Sequence, residues 1–163
     1  MFYLIYPFFV LATLAFTLLT YVLSPILPAF MDKDGNLPKW LSWFQTFDNT
    51  LLKGRSPEFG WTGSDWWIAT EWLCRNPGYT FDYYPLGCAW DQTQWTVKKN
   101  TPSTFYAIGP SGHFCYTYGS DKWQIKLGWK AWASYDRVNN KWTDFQWGPA
   151  KRIPFCFTVK PIL

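Results

Sequence analysis

The first 31 residues of this 163-residue chain contain no charged side chain. Histidine occurs once, at His113, and only Glu58 and Glu71 among the eleven acids are glutamates. The four cysteines (Cys74, Cys88, Cys115 and Cys156) include no Cys-x-x-Cys pair, the close ligand spacing that structural zinc sites use. Each shortage removes a class of chemistry. No phosphate loop, G-x-S-x-G elbow or H-E-x-x-H zinc helix is present. His113 lies two residues from Cys115, but no third group stands ready to orient a thiol–imidazole dyad. Glu58, Glu71 and Asp82 are acids with no motif around them, so a paired-carboxylate hydrolase has no support. The chain is read as a non-enzyme without cofactor or metal.

It opens instead with an almost continuous apolar run from Phe2 to Phe30. About 20 apolar residues span the roughly 30 Å hydrocarbon core of a bilayer, and this run exceeds that. Leu4 to Leu23 holds twelve Leu, Ile, Val or Phe residues. At roughly 0.3–0.6 kcal/mol each, they favour insertion by about 4–7 kcal/mol. Thr13, Thr17 and Thr20 can bond carbonyls of the preceding turn, and Pro7 lies near the start, where a missing amide hydrogen costs least. Pro25 and Pro28 force the residues before them out of helical geometry. A membrane helix over Leu4–Ser24 is predicted. A cleavable signal peptide fits poorly, since no Lys or Arg precedes the run and Ser24-Pro25-Ile26 is a poor cleavage sequence. Lys33 and Lys39, followed by Lys53 and Arg55, bias the C-terminal bulk toward the cytoplasm.

Beyond the run, residues 37–47 predict a short helix with Trp40, Trp43, Phe44 and Phe47 at i, i+3, i+4 and i+7. Such a stripe beside Lys33 and Lys39 suits the headgroup layer, and it suits packing onto the rest of the protein equally well. Asp32-Lys33-Asp34-Gly35-Asn36 opens like a calcium loop. Leu37 then stands where that loop needs glycine, and Trp43 where it needs glutamate. A tight turn is the expectation.

All thirteen tryptophans follow residue 31, so the rest of the chain is a separate, aromatic-rich region. Ser64 or Asp65 would cap a helix that Asn76-Pro77-Gly78 stops. Short strands are predicted over 104–108, 114–118, 123–133, 142–145 and 155–159. Gly109-Pro110-Ser111-Gly112, Gly119-Ser120-Asp121 and Val138-Asn139-Asn140-Lys141 are the turns between them. In 123–129 the odd-numbered residues are apolar and Lys126 opposes them, the pattern of a half-buried antiparallel strand. The fold class is α+β: an N-terminal transmembrane helix, a short interfacial helix, then one helix packed on a small antiparallel β-meander. Its divisions are 1–31 as anchor, 32–50 as juxtamembrane turn and amphipathic helix, and 51–163 as aromatic-rich domain.

So many rings can fill a small core, or they can form a stacking platform for sugars or bases. Residues 32–97 carry five basic side chains against eight acids, and residues 98–163 carry ten against three. Lys126, Lys130, Lys141, Lys151 and Arg152 are therefore candidate contacts for an anionic surface, or lysines and an arginine solvated on outer faces. The cysteines would pair as two disulfides in a periplasmic domain and stay thiols in the cytoplasm.

Four segments also carry a resemblance: Leu37-Pro38-x-x-Leu41-x-Trp43-Phe44-x-Thr46-x-Asp48-Asn49, Trp72-Leu73-x-Arg75-Asn76-Pro77-Gly78-Tyr79-x-Phe81, Leu127-Gly128-Trp129-Lys130, and Pro154-Phe155-x-Phe157. The pattern resembles an uncharacterised family of small tailed-bacteriophage proteins with an apolar N-terminal segment. Phe47 stands where many of those relatives have proline. The resemblance implies a phage origin and brings no catalytic residue. The expectation is a single-pass protein of the host inner membrane that engages the bilayer surface or a phage or host protein, with nucleic acid set aside as a partner. A minor virion protein whose N-terminus enters the host envelope is the first alternative. A periplasmic glycan-binding or receptor-blocking domain is the second.

Overall fold

The computed structural model describes residues 1–120, 122–144 and 151–161. Its helices are α1 (Phe2–Leu23), α2 (Asp65–Arg75) and α3 (Tyr79–Tyr83). Its strands are β1 (Cys88–Ala89), β2 (Thr96–Thr101), β3 (Thr104–Ile108), β4 (Phe114–Ser120), β5 (Trp123–Trp129), β6 (Tyr135–Asp136), β7 (Lys141–Trp142), β8 (Arg152–Ile153) and β9 (Phe155–Pro161). The fold class is α+β. Two compact units divide the chain, Met1–Val10 with Tyr83–Leu163, and Leu11–Asp82.

The first unit is built on an antiparallel sheet in the order β2-β3-β4-β5-β9. Alternation along β5 works as the sequence implies. Trp129 pairs with Phe155, and Leu127 pairs with Tyr116 and Phe157. Lys126 falls on the opposite face between Thr117 and Thr158. The strand stops at Trp129, and a 3-10 turn over Lys130–Ser134 replaces the expected continuation to residue 133. β2 has no predicted counterpart, because Lys98, Lys99 and Asn100 break any apolar alternation. It is an edge strand, where lysines discourage pairing with another chain. β6 and β7 form a hairpin around the 138–141 turn, with Asn140 at φ 52°. Asp121 and Phe145, which belong to predicted segments, lie outside the described residues.

The helix that covers this sheet is the start of α1, where α2 was expected. Phe2, Tyr6 and Phe9 pack on Trp129, and Tyr6 and Phe9 reach Phe155. The Tyr6 hydroxyl donates to the Cys156 carbonyl at 2.9 Å and accepts from the Gly128 amide at 3.0 Å. Gly128 has φ +95°, and a Cβ there would sit 1.9 Å from the Phe114 carbonyl oxygen. Only glycine lets β5 turn that amide toward the helix.

The second unit centres on Leu27, Leu37, Leu41, Phe44, Leu51, Ala69, Trp72 and Leu73, all buried. α2 contributes the last three. Ser64 caps it by accepting from the Trp67 amide at 3.2 Å, and Asp65 and Arg75 sit at the ends that suit their charge. Gly78 then turns at φ +65°, where a Cβ would lie 2.6 Å from the Phe16 ring. That glycine brings the turn's backbone directly onto α1. Asp32 closes the 32–36 turn by accepting from the Asp34 and Asn36 amides, both at 2.9 Å. Those bonds hold its carboxyl below the usual range, led by the Asn36 amide.

Candidate membrane-binding face

α1 has two faces of unlike chemistry, and they are the reverse of a soluble helix. Its inward positions are Phe2, Tyr6, Phe9, Thr13, Phe16 and Thr20, spaced by three or four residues. In the first unit, Phe2 stacks on His113 at 3.7 Å, and Tyr3 stacks on Phe114 at 4.7 Å. In the second, Thr13 donates to the Asp82 carboxylate at 2.7 Å, and Phe16 is stacked by Phe44 and Phe81 at 4.8 and 4.3 Å. Thr20 bonds its own preceding turn at Phe16, and beyond the helix Ser24 meets Cys74 at 3.2 Å. The helix therefore turns the Thr13 and Thr20 hydroxyls toward protein.

The outward face carries Leu4, Pro7, Phe8, Leu11, Leu14, Ala15, Leu18, Leu19 and Val22, with Tyr3 and Tyr21 also exposed near its two ends. Leu4, Leu11 and Leu18 keep 80%, 63% and 65% of their surface exposed. Between Leu4 and Leu19 that face has no side chain that can donate or accept a hydrogen bond; the Tyr3 and Tyr21 hydroxyls lie toward its ends. A surface helix ordinarily offers water its polar face and the core its apolar one. A contiguous apolar stripe of this length on a small protein marks an interaction surface. By length and composition, α1 is apolar enough to cross a membrane.

The collar splits in two. Lys39–Phe44 forms a 3-10 helix, in which i and i+3 eclipse, so Trp40 and Trp43 share a face that Phe44 does not, and Phe47 lies beyond its end. Leu41 and Phe44 point into the core, while Trp40 and Trp43 are 71% and 51% exposed. Trp40 meets the exposed Phe30 edge-on at 5.8 Å. Phe47 is half-buried against Tyr79, and Lys33 and Lys39 are exposed. Of the interface candidates, Trp40, Trp43, Lys33 and Lys39 reach the surface, and Phe44 and Phe47 serve packing.

The basic candidates divide: Lys126 feels the charge of Lys130 and Lys160, while Arg152 is engaged elsewhere. Arg152 donates to the carbonyls of Tyr83 at 3.1 Å, of Tyr84 at 2.9 Å, and of Gly87. Its guanidinium ties the β8 segment to the 83–87 loop and is withdrawn from the anionic-surface group. Lys126 lies 4.1 Å over the Trp132 ring, on the sheet face opposite α1, and burial lowers its pKa. Lys130 is half-buried in the turn after β5, Lys141 is exposed in the β6–β7 hairpin, and Lys151 occupies an exposed turn at φ 44°.

His113 and Cys115 do not form a dyad. The His113 Nδ1 faces the Pro110 carbonyl at 2.6 Å, and its ring lies between Phe2 and Trp129. Burial lowers the His113 pKa and raises the Cys115 thiol above its ordinary value. Cys115 and Cys156 flank Gly128 on either side of β5, two strands apart. Two strand spacings put their Cα atoms roughly 10 Å apart, beyond the reach of a disulfide. Among the described residues, no three His, Cys, Asp or Glu side chains gather to hold a metal. Trp72, Trp95 and Trp129 are buried, and Trp66, Trp67 and Trp123 are exposed beside Trp40 and Trp43. The rings thus supply both core and surface.

An α+β protein with an outward-facing apolar N-terminal helix is the class these observations define. The chain belongs to a family of unknown function, DUF7338, whose model matches residues 1–163. Neither a curated protein nor a solved structure matches it.

Proposed function

We propose that this chain is a non-catalytic, membrane-bound protein that α1 holds against the bilayer. Its aromatic-rich units would work at the bilayer surface, on lipid or on a partner protein. The observation that carries this reading is the outward face of α1, which exposes Leu4, Phe8, Leu11, Leu14, Leu18, Leu19 and Val22, with hydroxyls only at Tyr3 and Tyr21 near its two ends, while Thr13 and Thr20 are turned inward. In water, that stripe forgoes about 1 kcal/mol for each of its large side chains. A bilayer recovers it. Lys33 and Lys39 support an orientation toward the cytoplasm. The likeness to small tailed-phage proteins supports phage encoding and a seat in the host inner membrane. A single pass across the bilayer and a seat within one leaflet both agree with this reading.

Fractionation of expressing cells, followed by carbonate treatment, tests it. The protein is expected to stay with the membranes. Recovery in the soluble fraction overturns the proposal.

A further inference from the structure

We infer that α1 lies in the plane of one leaflet, its aliphatic stripe in contact with acyl chains, and does not cross the bilayer. The inference rests on the membrane-bound reading above and concerns how that same face is seated.

A 22-residue helix is about 33 Å long, close to the full hydrocarbon thickness. If α1 crossed, every group packed against its inward face would sit at the matching depth. Thr13, near the helix centre, would bring the Asp82 carboxylate to the bilayer midplane. A carboxylate is among the costliest groups to hold there. Tyr6 would bring the Gly128 amide and the Cys156 carbonyl, and Phe16 would bring the Gly78 turn. Irregular backbone at membrane depth is tolerated only when protein or a water-filled cavity surrounds it. Crossing therefore requires α1 to leave both sets of contacts.

Lying flat breaks none of them. The inward face stays dry against protein, and the outward face enters to the depth of a few side chains, as interfacial helices do. Trp40, Trp43, Lys33 and Lys39, in the same unit as Leu11 to Leu23, are exposed, and indoles and lysines are the side chains that favour the headgroup level and anionic headgroups. A second copy of the chain is a poorer occupant. Protein interfaces carry a polar rim and about one hydrogen bond per 100–200 Å², and from Leu4 to Leu19 the stripe has no side-chain donor or acceptor, with tyrosine hydroxyls only toward its ends.

The test places a fluorophore on Leu4→Cys, Leu11→Cys, Leu18→Cys and Val22→Cys, one at a time, with Cys74→Ser removing the exposed thiol. The probes are vesicles of phosphatidylethanolamine and phosphatidylglycerol containing lipids brominated at graded acyl depths. In-plane seating gives one shallow depth at all four positions. A depth that rises to the bilayer centre near Leu11 and then falls overturns the inference while leaving the membrane-bound reading intact. Failure to bind vesicles at all overturns both. Dimers that shield these four positions in the absence of lipid replace the bilayer with a second copy, and overturn both as well.

Discussion

Replacing Leu11 and Leu18 together with glutamine separates the membrane role of α1 from its folding role. Both side chains are about two-thirds exposed, so the folded protein loses little when they change. Surface substitutions of this kind usually move stability by no more than ~0.5 kcal/mol. Against a bilayer the same change forfeits about 1–2 kcal/mol of apolar contact at each site. Each amide adds a desolvation penalty of similar size. The pair should cost roughly 4–8 kcal/mol of membrane affinity, a fall of at least about a thousand-fold in vesicle partitioning. Phe16→Ala is the inward control. It empties the space between the Phe44 and Phe81 rings, and should cost about 2–3 kcal/mol of fold stability. Vesicle co-sedimentation reads the first effect and circular-dichroism melting the second. The reasoning is refuted if the glutamine pair binds vesicles like the parent, or if it unfolds as readily as Phe16→Ala.

Three other outcomes follow from the packing. Tyr6→Phe removes a hydroxyl that serves the Gly128 amide and the Cys156 carbonyl, and should cost about 1–3 kcal/mol in chemical denaturation; an unchanged midpoint would refute that role for the hydroxyl. Arg152→Lys cannot reach three carbonyls at once, so stability should fall by about 2 kcal/mol while vesicle binding holds; a loss of binding alone would return Arg152 to the membrane surface. Folding lowers the His113 pKa, so the unfolded chain binds the extra proton more readily. Its contribution to stability is complete above about pH 6.5 and declines as pH falls through the lowered folded value. Melting curves from pH 7.5 to 5 should show that decline, and His113→Phe should flatten it.

The apolar run, its end at Pro25 and the capped helix at Asp65–Arg75 were legible because each rests on local chemistry. So were the fold class and the faces of β5, where Lys126 opposes Ile125 and Leu127. The two faces of α1 were not legible. Hydroxyl-bearing residues lie on both, Thr13 and Thr20 inward and Tyr3 and Tyr21 outward, so composition does not mark the outward side, and the inward role of Tyr6 depends on Gly128, 122 residues away. The collar misled for a geometric reason: α-helical spacing aligned Trp40, Trp43, Phe44 and Phe47, while the 3-10 turn divides them. Arg152 looked like free charge because its three carbonyl partners lie 65 to 69 residues earlier in the chain. A candidate surface was visible in composition; which side of the helix forms it required the fold.

Photo-crosslinking from Leu11 in living cells tests the central claim most directly. A diazirine-bearing residue at that position should capture phospholipid, while the same residue at the buried Thr13 should capture none. Capture of protein alone from Leu11, with no lipid adduct, would contradict it.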